Sequence, residues 1–170
     1  MQGLLPNSLA KKILNIGPKA LSQPLAFIPF SLKADLLKRI LGLMLAEQAK
    51  DDELEFLLDR WVAIEVEDLA LTFEVSYNGS WLVRPLQNAE VTFKSDSKAL
   101  LLVAAAKEDP DTLFFQRKLS IEGDTELGLE VKNLLLGVEF DSMPTAISTA
   151  VTKLAEALQS LQKRAEPQIA

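Results

Sequence analysis

The chain has 170 residues and a formal net charge of −6, enough for one domain with a sizeable core and too short for two. It contains no cysteine and no histidine. Those absences exclude disulfide frameworks, thiolate metal sites, Ser-His-Asp and Cys-His nucleophilic systems, imidazole acid–base chemistry and the usual zinc or haem ligand sets. Charge is unevenly spread: residues 1–50 hold seven Lys and Arg against two acids, a net of +5, and residues 51–170 hold 11 against 22, a net of −11. A basic, apolar first third on an acidic body fits contact with an anionic membrane or an acidic partner, and argues against nucleic-acid binding through the body.

From Leu5 to Leu21, Leu9, Ile13, Ile16 and Ala20 share one helical face, away from Lys11, Lys12 and Lys19, and Gly17-Pro18 should break or kink that helix. The pattern is not that of a signal peptide, because Lys11 and Lys12 follow the first apolar residues and prolines interrupt the run. Gln23–Phe30 is too proline-rich for regular structure yet too apolar to stay uncovered. Ser31 is the expected N-cap of a helix from Leu32 to about Ala49, with a wide apolar stripe through Leu36, Leu37, Ile40, Leu43 and Met44. These helices either pack on the body or serve as a lid or membrane contact; both readings stand at this point. The longest clean apolar runs, Ile40–Ala46 and Ala99–Ala106, fall short of the ~18 residues that span a bilayer. The expected location is the cytosol, with peripheral attachment to the inner membrane as the further possibility. The last residues, Gln168-Ile169-Ala170, are not a peroxisomal address.

The middle of the chain reads as sheet. Trp61–Val66 is β-rich, and Leu69, Leu71, Phe73, Val75 and Tyr77 alternate with Ala70, Thr72, Glu74 and Ser76, which predicts one buried and one wet face. Asn78-Gly79 is expected to supply the positive φ angles of a tight hairpin into Trp81–Arg84, and Pro85 weakens that strand beyond this point. Glu90–Lys94 is a fourth strand with Val91 and Phe93 inward, and Asp96 or Ser97 caps a helix over Ala99–Lys107. Pro110 suits the first turn of the next helix behind Asp109, and Leu119 and Ile121 alternate with Ser120 and Glu122 as the fifth strand. Gly123 and Asp124 turn the chain into a helix carrying Leu127, Val131, Leu134, Leu135 and Val138; a last helix is predicted over Thr145–Arg164. The implied architecture is α+β: a five-stranded curved sheet covered by helices. The expected division is an N-terminal amphipathic extension over 1–50, a core over 51–142 and a C-terminal helix and tail over 143–170.

Several residues carry a resemblance. Leu119, Ile121, Gly123 and Asp124, followed by the helix from Leu127 to Leu134, resemble the signature of the sterol carrier protein type 2 domain, whose members hold lipids between a sheet and helices. Asp109–Gln116, Asp52–Leu57, Arg60-Trp61 and an N-terminal run with Gly17-Pro18 and Pro29-Phe30 resemble a bacterial branch of that family, accessory factors of oxygen-independent ubiquinone biosynthesis. The resemblance spans roughly Leu9 to Pro144. It implies a non-catalytic carrier of prenylated phenol or quinone precursors, with phospholipid as a further ligand, and as partners the iron–sulfur hydroxylases UbiU and UbiV. It implies no cofactor and no metal of its own. One departure stands out: the wider family often has Gly where this chain has Arg117, which suggests a different entrance or a different polar end of the ligand.

On this reading the candidate cavity walls are Trp61, Leu71, Phe73, Leu100, Val103, Leu113, Phe114, Leu127, Val131, Leu134 and Leu135. Each also fits ordinary core, since apolar stripes at helical spacing usually meet protein. Arg117 and Lys118 are candidates for holding a phenol oxygen, a carboxylate or a phosphate; as plain surface charge they need no ligand. Lys11, Lys12 and Lys19 are the candidate membrane contacts. The acidic clusters Asp51-Asp52-Glu53-Glu55 and Glu65-Glu67-Asp68 lack calcium-loop spacing and read as solvated turns and strand ends. Two other functions compete: a protein-interaction scaffold or phospholipid-binding membrane adaptor with a filled core, and an enzyme running on carboxylates alone.

Overall fold

The computed structural model describes residues 26–104 and 107–138, together with Thr145, Ser148, Thr149, Lys153 and Glu156. The expected helix over Leu5–Leu21, the lysines at 11, 12 and 19, and most of the expected helix over Thr145–Arg164 lie outside the described residues.

Helix α1 (Phe30–Met44) opens at Pro29, two residues before the expected Ser31 cap: the Pro29 carbonyl accepts from the N–H groups of Leu32 and Lys33, and no side chain caps the end. The helix expected to reach Ala49 breaks at Leu45, a buried residue whose φ of −113° ends α1 before the short α2 (Ala46–Lys50). Apolar stripes report a face; they do not report a break within it. The buried Gln48 of α2 donates from Nε2 to the Gly137 carbonyl at 3.1 Å, which ties this region to the far end of the chain's described core.

Five strands follow: β1 (Val62–Val66), β2 (Leu71–Tyr77), β3 (Trp81–Arg84), β4 (Val91–Ser95) and β5 (Leu119–Gly123). They form one sheet in the order β3-β2-β1-β4-β5, antiparallel except for the parallel pair β1 and β4. Register puts like with like: Val75, Val62 and Val91 form one cross-strand row, and Phe73, Ile64, Phe93 and Ile121 the next. That single apolar face packs against α1 and three further helices, α3 (Ser97–Ala104), α4 (Pro110–Phe115) and α5 (Thr125–Leu136), through a core of Leu54, Leu57, Val62, Phe73, Val75, Val91, Phe93, Ala99, Leu113, Leu119 and Leu127.

The other face is wetter, with one correction to the alternation in β2. Glu74 and Ser76, expected to face water, are each only 1% exposed. Segments on either side of the β1–β3 region cover them: the Ser76 hydroxyl donates to the Leu57 carbonyl at 2.9 Å, and Glu74 is enclosed by the loop after β3. A period of two separates the faces of a strand but says nothing of what later folds over the second face. Strand β2 also begins later than its apolar pattern does, because Glu67–Leu69 is a single tight turn and Ala70 takes a left-handed φ of 49°. In the hairpin only Gly79 has positive φ; three residues separate the Tyr77–Trp81 pair, and the Asn78 N–H donates to the Ser80 carbonyl.

Candidate lipid-binding site

The unit from Asp109 to Leu136 builds one side of the apolar layer. Asp109 accepts the Asp111 N–H on Oδ1 at 2.8 Å, and Pro110 fills the first helical position, where no N–H is required. Helix α4 then closes in a Schellman turn: the Arg117 N–H donates to the Phe114 carbonyl at 3.0 Å and the Lys118 N–H to the Leu113 carbonyl at 2.9 Å. This turn needs a left-handed residue, and Arg117 supplies it at φ 59°. A glycine would meet the same backbone requirement without strain.

Gly123 ends β5 at φ 118°, and a Cβ there would lie 2.4 Å from the Glu90 carbonyl oxygen. Asp124 caps α5 by accepting the Leu127 N–H at 2.7 Å. Gly128 lets α5 approach the sheet, since a Cβ on it would meet Ile121 at 3.1 Å and Val91 at 3.4 Å. Ion pairs fix the unit from outside. Arg60 reaches Glu90 at 2.8 Å, Asp124 at 3.4 Å and Glu130 at 4.0 Å, and Lys132 of α5 meets Asp111 of α4 at 2.8 Å. The Glu90 hydrogen bond, with the neighbouring carboxylates, raises the Arg60 pKa further above its ordinary value.

The structure brings seven of the eleven expected wall residues together: Leu71, Phe73, Val103, Leu113, Leu127, Val131 and Leu134 share one apolar cluster. Leu100 and Leu135 are half-buried outside it. Phe114 is 43% exposed and stands edge-on to the more exposed Phe115 at 5.8 Å. Trp61 precedes Val62 and so falls on the opposite face of the sheet, where the Arg84 guanidinium lies 3.6 Å from its ring centroid. Arg117 and Lys118 are exposed at the turn into β5.

Within the cluster, burial is uneven. Leu113 and Leu127 are closed off, whereas Val131 and Leu134, further along α5, and Val103 and Leu71 are only partly buried. On the sheet Leu71 stands in the row Leu71, Val66, Ser95 and Leu119, whose other three members are buried, and Arg117 and Lys118 immediately precede Leu119. Two open grooves lie elsewhere, beside the β2–β3 hairpin. The larger, about 510 Å³, is lined by Lys38, Gly42, Ala46, Ala49, Tyr77, Gly79, Ser80 and Trp81, and the smaller, about 210 Å³, by residues of the Ala49–Leu58 region with Tyr77, Asn78 and Gly79. Neither is lined by the expected wall residues. The Tyr77–Trp81 aromatic pair, 5.2 Å apart, belongs to this second region; its signal in the sequence was the hairpin that sets the two rings opposite one another.

Among the described residues no three carboxylates converge on a potential metal position, and no helix is long and apolar enough to cross a membrane.

Residues 37–136 match the SCP-2 sterol transfer family. The solved structure titled UbiJ-SCP2 Ubiquinone synthesis protein superposes with a TM-score of 0.52 at 17% identity, covering 65% of this chain and 100% of that one. Sheet order, helical cover and matched region together define a sterol-carrier-type domain, the α+β architecture expected from the sequence. At the level of the whole chain, the ubiquinone biosynthesis accessory factor UbiT of Escherichia coli K12 is 43% identical over 160 residues, which is 94% of this chain and 92% of that protein. The UbiT of E. coli O157:H7 gives the same figures. The chain belongs to the SCP-2 sterol transfer family and, within it, to the UbiT group of ubiquinone biosynthesis accessory factors.

Proposed function

We propose that this protein is a non-catalytic carrier that shelters the polyprenyl tail of ubiquinone precursors and presents their aromatic head to hydroxylating enzymes. The observation that supports the reading is the shared apolar layer between sheet and helices, in which Leu127 is buried and Val131, Leu134, Val103 and Leu71 are only partly so. An isoprenoid tail entering there would gain about 0.8 kcal/mol for each methylene removed from water, so a few isoprene units offset the ordering cost of binding. The tail need not be swallowed whole. Arg117 and Lys118, exposed beside Leu119, are two cations of the kind that suits a phenol oxygen or carboxylate of the head.

A polyprenyl-phenol is almost insoluble in water, so hydroxylases working away from the bilayer need its tail shielded and its ring reachable. On this reading the hydroxylases UbiU and UbiV are the recipients, and the redox chemistry belongs to them. A chain without Cys or His has no ordinary ligands for an iron–sulfur cluster of its own. Native mass spectrometry of protein purified from its host tests the proposal. A co-purifying prenylated phenol or quinone is expected; protein that is consistently ligand-free, and takes up none when offered, would refute it.

A further inference from the structure

The two edges of the sheet end differently. At one, β3 packs against α1 and is halted by Pro85. At the other, β5 is bonded to β4 alone. A strand with one neighbour presents a row of unpaired N–H and C=O groups, and the usual protections are a proline, a bulge or a covering segment. Strand β5 has no proline and a regular register, and among the described residues nothing bonds to its free side. Which backbone groups face outward follows from the ladder. In an antiparallel pair, opposed residues alternate between those that exchange both backbone bonds and those that exchange none. The Asp124 N–H donates to the Glu90 carbonyl at 2.8 Å, one step beyond the Gly123–Val91 pair. Asp124, Glu122 and Ser120 therefore turn their backbone groups toward β4, and Leu119, Ile121 and Gly123 turn theirs outward.

A second copy of the same strand fits this edge. Run antiparallel about a twofold axis at Ile121, β5 meets its copy with Ile121 opposite Ile121 and Leu119 opposite Gly123, so that outward N–H groups face outward carbonyls. The side chains between them suit this register. Ser120 stands opposite Glu122 of the second copy, and the exposed Lys118 opposite its exposed Asp124. Opposite charges and hydroxyl–carboxylate pairs favour such a contact, whereas like charges directly opposed disfavour it. A shift of register one way sets Glu122 against Glu122. The other way draws in Arg117, whose φ of 59° takes it out of strand conformation. Phe114 and Phe115, on the helix that leads into β5, are exposed, and exposed aromatics are characteristic of contact surfaces. We infer that β5 pairs antiparallel with β5 of a second copy, centred on Ile121, and joins two sheets into one. The contact is isologous and the β3 edge is covered, so pairing stops at a dimer. It is independent of what the apolar layer holds.

Sedimentation velocity of the full chain tests this, and wild type should show a dimer that dissociates on dilution. Ser120→Glu sets carboxylates against each other on both sides of the axis, and Ser120→Lys with Glu122→Lys does the same with ammonium groups. Each should weaken the dimer by about fivefold or more. Mixed, the two variants place opposite charges at every such position, and native mass spectrometry should find heterodimers in excess of either homodimer. The absence of native cysteine allows a second readout. Ser120→Cys and Glu122→Cys occupy a pair without backbone bonds, where opposed side chains come closest. Combined under oxidising conditions they should form a mixed disulfide, and each alone should cross-link far less. A wild type that stays monomeric, a dimer that neither charge variant weakens, a mixture without excess heterodimer, or cysteine variants that cross-link no better together than alone overturns the inference. So does a dimer that survives the charge variants and is lost with Leu36→Asn and Ile40→Asn on the exposed face of α1.

Discussion

Glu74 is the residue whose environment departs most from its sequence context. Burial by itself pushes its carboxyl up, but N–H donors from Gln87 at 2.8 Å and Ala89 at 2.9 Å, and the Arg84 Nε at 2.7 Å, outweigh that and hold it below the usual carboxylate range. A lowered folded value means stability that is complete above the ordinary carboxylate pKa of about 4.3 and is lost as pH falls through the folded value. Glu74→Gln should cost about 1.5–3 kcal/mol at neutral pH, and urea melts of variant and wild type should converge in acid; a gap that stays constant would rule out the charge as its source. Arg117 departs in backbone. A left-handed L-residue costs about 1–2 kcal/mol, and the looser unfolded chain of glycine returns about 0.4–1 of that. Arg117→Gly should therefore raise the melting temperature by about 1–4 °C. If the cation holds the ligand head, the same variant should also lose prenyl-phenol affinity.

At the scale of elements, the β5–α5 connection is the least tolerant joint. Gly123 combines a φ of 118° with backbone atoms so close that any side chain must displace the Glu90 carbonyl, which itself accepts the Asp124 N–H at 2.8 Å. Gly79 has a comparable φ of 94° and open space around it. Both Gly→Ala variants should lose about 1–3 kcal/mol from backbone strain, and Gly123→Ala should lose distinctly more in chemical denaturation because the collision adds to the strain. Equal losses would mean that the joint yields. The helix starts at Asp109 and Asp124 were legible because capping chemistry is local, as was the halt of β3 at Pro85. The break at Leu45 was not legible, because it follows from where a buried leucine must sit on a core formed by distant segments.

At the scale of the molecule, ligand uptake by the apolar layer and simple core packing predict different effects of filling it. Val131 is partly buried on α5, one turn beyond the fully buried Leu127. If a tail enters beside it, Val131→Trp should abolish co-purification of prenylated lipid with only a small fall in melting temperature. If that region is simply core, the larger side chain should cost about 1–3 kcal/mol by overpacking and leave lipid binding as it was. Phe114→Trp should do neither, since Phe114 is already 43% exposed.

The sequence by itself determined the family, through the resemblance of its Leu119–Leu134 segment, and the α+β class, the strand segments in near-final form and the capped unit from Asp109 to Leu136, because these last rest on local spacing: a period of two, a cap, a glycine that must turn. Of the eleven residues it proposed as cavity walls, Leu71, Phe73, Val103, Leu113, Leu127, Val131 and Leu134 lie in one apolar cluster, while Trp61, Leu100, Phe114 and Leu135 lie outside it. Only the tertiary structure decided that Trp61 stands on the other face under Arg84, that Glu74 is buried and hydrogen-bonded, and that one face of α1 remains uncovered. Those outcomes depend on which segments, far apart in the chain, come to lie over a given side chain, and no local pattern encodes that.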